Sequence, residues 1–276
     1  MSQTWNAETP PEEVKITAAG WLRLVLRIAG LAVVLVICLV LLLLGRLIER
    51  PLAGLRRPVT PVFQRIVCRA FFTFSGMRLK ITGRPMQERG ALVSNHTSWL
   101  DIFTLSAARA VFFVSKSEVQ GWPGIGQLAR ATGTVFIDRR RGDARRQQQI
   151  FVERLRAGQR LMFFPEGTST DGRRVLPFKS TLFGAFFDPE LRDFCHIQPV
   201  SVLYRAPEGA EPRFYGWWGE MEFGASFLKV LAASPQGGVE VIYHPPLKVA
   251  DFADRKALAA ACEAQVRGGM PWDWQQ

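Results

Sequence analysis

From Ile28 to Gly45 the chain reads IAGLAVVLVICLVLLLLG, without a charge, and Arg27 and Arg46 bound the run. Eighteen residues at about 1.5 Å each span roughly 27 Å, close to the ~30 Å hydrocarbon core of a bilayer. The run is too long for a signal peptide and no clear A-x-A site follows it. A buried core helix is seldom so uniformly Leu and Val. The pattern predicts a membrane helix over 28–45, either crossing the bilayer or staying within one leaflet. Residues 1–16 read as a polar tail, and PLAGLRRPVTP (51–61) as a Pro-punctuated linker. Val62, Phe63, Ile66, Val67, Ala70, Phe71 and Phe74 then recur at helical spacing. They predict an amphipathic helix over 61–76, lying on a membrane or packed on a domain core. Together 17–76 form an anchor.

Beyond Met77 the period changes. Short β-type runs appear at 79–83, 91–95, 111–116, 134–138, 160–164, 197–204 and 239–244, with helical patterns at 99–109, 124–131, 144–157 and 253–266. Alternating strands and helices predict an α/β domain over 77–270, built on a mainly parallel sheet flanked by helices, with 271–276 as a tail. Sites in such sheets gather in the loops leaving strand C-termini. SNHTSWLD, IDRRRGD and FPEGTSTDG each follow an apolar strand.

Composition narrows the partners. The 276 residues are 48% hydrophobic and 21% charged, which excludes a disordered chain. The net charge of +11 calls for an anionic partner, nucleic acid or lipid. The apolar helix favours lipid over nucleic acid. Arg46, Arg50, Arg56 and Arg57 after that helix bias the C-terminal bulk towards the cytoplasmic side. Cys38, Cys68, Cys195 and Cys262 are scattered, which argues against a zinc site or disulfide framework and suits a reducing compartment. No metal or cofactor is expected.

The chemistry centres on His96, one of three histidines. Ser98-x-x-Asp101 resembles a capping box, the structural explanation of this stretch. On one continuous helix His96 and Asp101 would diverge by roughly 140°. They can meet only if His96 sits in the turn before the helix, and a cap at Ser98 would make that break. A carboxylate on one ring nitrogen fixes the tautomer of a base near pH 7 and stabilises the imidazolium. No G-x-S-x-G elbow is present, and no cysteine lies near a histidine in sequence. The expected client of the base is therefore a substrate hydroxyl, in a direct transfer to an acceptor alcohol without a covalent enzyme intermediate.

Two other loops carry candidate binding groups. Arg139, Arg140 and Arg141 could hold an oxyanion or could form a solvated basic face. Glu166, after two Phe and a Pro, could accept from an acceptor hydroxyl or a cationic headgroup, or could pair structurally with an arginine, while Gly167 allows close backbone approach. Arg173, Arg174 and Lys179 return towards the same region. Pro199 inside an apolar strand suggests an edge or site-lining position, and His196 reads as structural.

NHTSWLD (95–101), GTVFIDR (133–139), FPEGTS (164–169) and IQPVSV (197–202) occur in the order shown by the glycerolipid acyltransferases, the group that includes 1-acylglycerol-3-phosphate acyltransferases. The chain resembles this family over about 110 residues. The resemblance implies that His96 is the general base and Asp101 its partner. It implies that Arg139 and the Glu166-Gly167-Thr168 loop bind a lyso-lipid acceptor. It also implies an acyl carrier protein or acyl-CoA thioester as donor. Where the family often has an Arg in its third block, this chain has Ser169, so either Arg173, Arg174 or Lys179 substitutes or the acceptor has no phosphate. SEVQGWPGIGQLAR (117–130), DGRRVLPFKSTLFGAF (171–186) and YGWWGEME (215–222) look like the lyso-ornithine lipid acyltransferase branch, whose acceptor has no phosphate. The expectation is a membrane-bound O-acyltransferase acting on lyso-ornithine lipid, with 1-acylglycerol-3-phosphate as the alternative acceptor. A non-catalytic basic membrane adaptor is the rival from another class.

Overall fold

The computed structural model describes residues 4–9, 15–137 and 144–271. Its first element, α1 (Ala18–Ala53), extends well beyond the predicted 28–45 at both ends. Thr17 caps its start by accepting from the Gly20 N–H at 3.1 Å, and Gly54 closes it with an N–H to the Arg50 carbonyl. The residues read as linker from Pro51 therefore begin inside the helix. The cause is the use made of the flanking charges. Arg27 Nη1 donates to the Leu231 and Ala233 carbonyls at 2.6 and 2.8 Å, Arg23 Nε to Ala232 at 3.2 Å, and Arg46 Nη2 to Ala131 at 2.7 Å. A polar flank held by such bonds stays helical.

Helix α2 (Thr60–Ser75) follows, started by a Pro in its first turn and ended by left-handed Gly76. It buries Cys68, Phe71 and Phe72 in the domain, while Val62, Ile66 and Phe74 are exposed. One face meets the core, as the second of the two sequence alternatives expects.

The strands are β1 (Arg78–Thr82), β2 (Gly90–Ser94), β3 (Phe112–Lys116), β4 (Val135–Ile137), β5 (Leu161–Phe163), β6 (His196–Arg205), β7 (Gly238–Tyr243) and β8 (Leu247–Lys248). They lie in the order β1-β7-β6-β2-β5-β3-β4, with β8 also on β6. The pairs β1–β7, β6–β2, β2–β5, β5–β3 and β3–β4 are parallel, and β6 is antiparallel to β7 and β8. The mainly parallel sheet is as expected. The two-residue β8 and the helix Phe223–Ala232 were not anticipated.

Helices α3 (Leu100–Ala108), α4 (Ile125–Thr132), α5 (Ala144–Arg156), α6 (Phe223–Ala232) and α7 (Arg255–Gly268) complete the layers. Period-two alternation splits the core. Leu92, Met162, Val200, Val202 and Tyr204 face Phe71, Trp99, Leu100 and Val230 on one side. Ala91, Val93, Leu161, Phe163 and Leu203 face Phe151, Leu155, Phe183 and Leu258 on the other. Arginines on the anchor helices then satisfy helix C-termini. Arg65 and Arg69 on α2 donate to Ala107 and Ala108 of α3 at 3.2–3.3 Å, as Arg23, Arg27 and Arg46 do for α6 and α4. Cations suit these positions because the last carbonyls of a helix lack internal donors and carry its negative end.

Pro199 lies within β6, flanked by β2 and β7, and not at an edge. Its carbonyl accepts from the His244 N–H at 3.0 Å, but Pro has no N–H to return to the His244 carbonyl. Buried Gln198 supplies the missing donor: its Nε2 reaches the carbonyls of His244 at 2.8 Å and Arg84 at 2.9 Å, and its Oε1 accepts from Met86 N–H at 2.8 Å. A buried backbone group left unpaired costs about 1–3 kcal/mol. Gln198→Leu removes all three bonds and strands the buried Met86 N–H, so chemical denaturation should show a loss of about 1–3 kcal/mol; an unchanged midpoint would remove this role.

Candidate active site

Strand β2 ends at Ser94, and the next residues form a turn before α3. Asn95 fixes that turn against β6. Its Nδ2 donates to the Val202 carbonyl at 2.9 Å and its Oδ1 accepts from the Val202 N–H at 2.8 Å. The side chain thereby continues the ladder past the last backbone pair, Ser94 with Val200. His96 follows, with its ring 4.0 Å from that of Phe164 and 12° from parallel.

His96 and Asp101 are brought together: Nδ1 lies 2.7 Å from Asp101 Oδ2. The same oxygen accepts the Thr97 and Ser98 backbone N–H groups at 2.8 and 3.0 Å, and Oδ1 accepts from the Tyr204 hydroxyl at 2.9 Å. Asp101 has no exposed surface, whereas the His96 side chain is 21% exposed. A carboxylate that meets only donors makes Nδ1 the protonated nitrogen, leaving Nε2 as the acceptor. Tyr204 is held in turn by Thr104 Oγ1 at 2.9 Å. Burial first, then the neighbouring Asp101, push its phenol well above the ordinary tyrosine range, so it acts as a donor.

The expected Ser98 cap is not made. The cap position falls one residue later, at Trp99, and makes no side-chain hydrogen bond, while Ser98 Oγ is buried without a partner among the described residues. Only the acidic half of the capping box is used. Asp101 reaches back to the N–H groups of Thr97 and Ser98, and this folds His96 over the first turn.

Glu166 does not face an open acceptor site. It is buried, and both oxygens serve the backbone: Oε1 accepts from His96 N–H at 2.8 Å and Oε2 from Leu176 N–H at 3.0 Å. Gly167, left-handed at φ 75°, donates its N–H to Phe164 O at 3.1 Å. Thr168 Oγ1 donates to Ser169 O and accepts from Trp5 N–H, both at 3.2 Å. The loop then bonds the turn that carries His96: Thr170 N–H and Oγ1 reach the His96 carbonyl at 2.9 and 3.3 Å. Gly172, at φ 77°, packs so closely that a Cβ would meet Thr97 Cγ2 at 2.5 Å.

Among the basic candidates, Arg174 pairs with buried Asp171 through Nε–Oδ1 at 3.2 Å and Nη2–Oδ2 at 3.0 Å. Lys179 has an exposed side chain and a backbone N–H to Pro165 O at 3.0 Å. Arg139, with Arg140 and Arg141, lies outside the described residues. The sequence reading missed Asn95, Tyr204, Thr170 and Trp217, whose N–H bonds Thr97 O at 3.0 Å. Asn95 stands inside a recognised block and Tyr204 just past another, but their partners are a hundred residues away. The His196 ring stays local, with Nδ1 3.2 Å from the Phe194 carbonyl. All four cysteines are buried free thiols, and burial pushes Cys195 up to about 12. Among the described residues no group of three or more His, Cys, Asp or Glu is placed to hold a metal ion.

The α/β domain offers one oriented imidazole in the turn after β2, and α1 leaves apolar side chains exposed, an arrangement that fits the acyltransferase resemblance. The comparisons agree: the chain belongs to the acyltransferase family, whose model matches residues 78–203. It is 55% identical to a lyso-ornithine lipid O-acyltransferase from Rhodobacter capsulatus over 266 residues, 96% of each chain. It is 43% identical to a 1-acyl-sn-glycerol-3-phosphate acyltransferase from Neisseria gonorrhoeae over 110 residues, 38% of this chain and 43% of that one. Its fold resembles the Thermotoga maritima 1-acyl-sn-glycerophosphate acyltransferase PlsC, with TM-score 0.58 and 20% identity over 91% of this chain and 95% of that one.

Burial pushes Glu166 up to about 8, against the two backbone hydrogen bonds that favour its charged form. Its folded value thus exceeds its unfolded one. Between about pH 4.5 and 8 the folded chain holds a proton that the unfolded chain has lost, so this group's contribution falls as pH rises and levels off above 8. Denaturation from pH 5 to 9 should show a downward slope of at most about 1.4 kcal/mol per unit that Glu166→Gln removes. The Gln amide also faces one backbone N–H, so that variant should be about 1–3 kcal/mol less stable at pH 5. Parallel pH curves for the two proteins would refute the assignment.

Proposed function

We propose that this enzyme acylates the free hydroxyl of lyso-ornithine lipid, with His96 as general base and Asp101 as its orienting partner. Nε2 takes the hydroxyl proton as the oxygen attacks the carbonyl carbon of the donor thioester. The tetrahedral intermediate collapses, the C–S bond breaks, and His96 returns the proton to the departing thiolate. Ester and thiol are the products, with acyl carrier protein or acyl-CoA as donor and no metal or cofactor required. The observation that carries the chemistry is the 2.7 Å His96–Asp101 contact with the carboxylate fully buried.

The acceptor rests on the likeness to the Rhodobacter enzyme over nearly the whole of both chains, against a 110-residue match to the glycerol-phosphate enzyme. Ser169, in place of the family's frequent Arg, supports an acceptor without phosphate, and Arg174 is already committed to Asp171.

The enzyme acts at an anionic membrane rather than on nucleic acid, on the cytoplasmic face. One long apolar helix, α1, fits membrane association. At about 1.5 Å per residue its 36 residues are about 54 Å long. Near one end it bonds residues 231–233, and near the other Arg46 bonds Ala131, while Gln159 bonds the Leu55 carbonyl just beyond. Two ends on one domain favour a helix lying within one leaflet over one crossing the bilayer.

His96→Ala and Asp101→Asn should lower kcat by roughly 10²–10⁴-fold. The Asn variant is the cleaner test. Its carbonyl can face the three donors while its amide faces the Tyr204 hydroxyl, so it loses charge but not the fold. Retention of wild-type kcat by either would refute the mechanism. With labelled donor, purified enzyme should turn over lyso-ornithine lipid at least about tenfold faster than 1-acylglycerol-3-phosphate in kcat/KM, a gap of about 1.4 kcal/mol. A reversed preference would assign the alternative acceptor.

A further inference from the structure

We propose that Trp5 is a positioning residue of the acceptor site, through which the N-terminal segment 4–9 clamps the Thr168–Arg174 loop. This rests on the reading of that loop as the acceptor side of the site. Trp5 N–H donates to Thr168 Oγ1 at 3.2 Å, although 163 residues separate the two. The Trp5 ring carries the Arg174 guanidinium 5.0 Å from its centroid and meets the Trp218 ring nearly edge-on at 6.2 Å. Arg174 is thereby held while it pairs with Asp171.

The segment grips a second loop as well. Arg213 Nη1 donates to the Thr9 carbonyl and hydroxyl at 3.2 and 3.0 Å, and its guanidinium lies 5.3 Å over Trp218. Asn6 covers Gly219, where a Cβ would come within 2.6 Å of its Oδ1. Both loops reach the catalytic turn directly: Thr170 donates to the His96 carbonyl, and Trp217 to the Thr97 carbonyl. Residues 4–9 thus tie together the two loops that hold the backbone on either side of the imidazole. None of their contacts touches the imidazole or its carboxylate. The clamp therefore sets the shape that meets the acceptor and leaves proton transfer alone.

Kinetics on the full chain in mixed micelles tests this, varying lyso-ornithine lipid and thioester separately. Trp5→Ala should raise the acceptor KM about five- to tenfold, the scale expected for losing one aromatic and one cation–π contact. Its kcat and donor KM should stay within about twofold, and Trp5→Phe, which keeps a ring for Arg174, should recover most of the loss. An unchanged acceptor KM, or equal movement of kcat and donor KM, would overturn the proposal. Amide hydrogen exchange judges the clamp without turnover. Trp5→Ala should speed exchange at Thr170, Gly172 and Arg173, whose N–H groups are hydrogen-bonded, and leave β2 and β6 unchanged. Unaltered protection in that loop would overturn the clamp whether or not any lyso-lipid is acylated.

Discussion

A carboxylate with no exposed surface accepts four hydrogen bonds at Asp101, and the rest of the site is arranged around it. An acid buried this fully carries a desolvation cost of several kcal/mol, which only well-aligned, charge-assisted donors offset. The donors come from the turn after β2, from the imidazole and from β6. Satisfying one acid therefore fixes the turn, the ring and the strand together. Glu166 repeats the device one loop away, holding the His96 backbone where Asp101 holds its ring. Two buried acids with different partners define the position of one imidazole.

Much of this was legible in the sequence. Runs such as ALVSN and IQPVSVLY have the apolar content of strands covered on both faces, and both lie inside the sheet. The His96–Asp101 contact followed from spacing plus a break before the helix. The cause of the break was misassigned, because a hydroxyl and a carboxylate are equally plausible caps on paper and only packing left Ser98 Oγ unpaired. Glu166 was misread for a related reason: sequence places an acid at a strand end but cannot say whether it turns outwards to substrate or inwards to backbone. Tyr204, Asn95 and Trp5 act across a hundred residues or more, beyond any local pattern. Helix α6 opens with aromatic and glycine residues that obscure its period.

The basic charge also acquires a partly internal explanation. Arg23, Arg27, Arg46, Arg65 and Arg69 all bond carbonyls at or near the C-terminal ends of α3, α4 and α6. Composition pointed to anionic lipid, yet these five side chains fasten the anchor helices to the domain. Exposed apolar positions such as Trp21, Leu22, Leu47 and Ile48 are left to meet the surroundings.

Fastening a long helix to one rigid body at both ends has a geometric corollary. The imidazole keeps a constant distance from the axis of that helix. Such a scaffold works as a ruler, because the spacing between ring and helix cannot change without breaking the arginine bonds at one end of that helix.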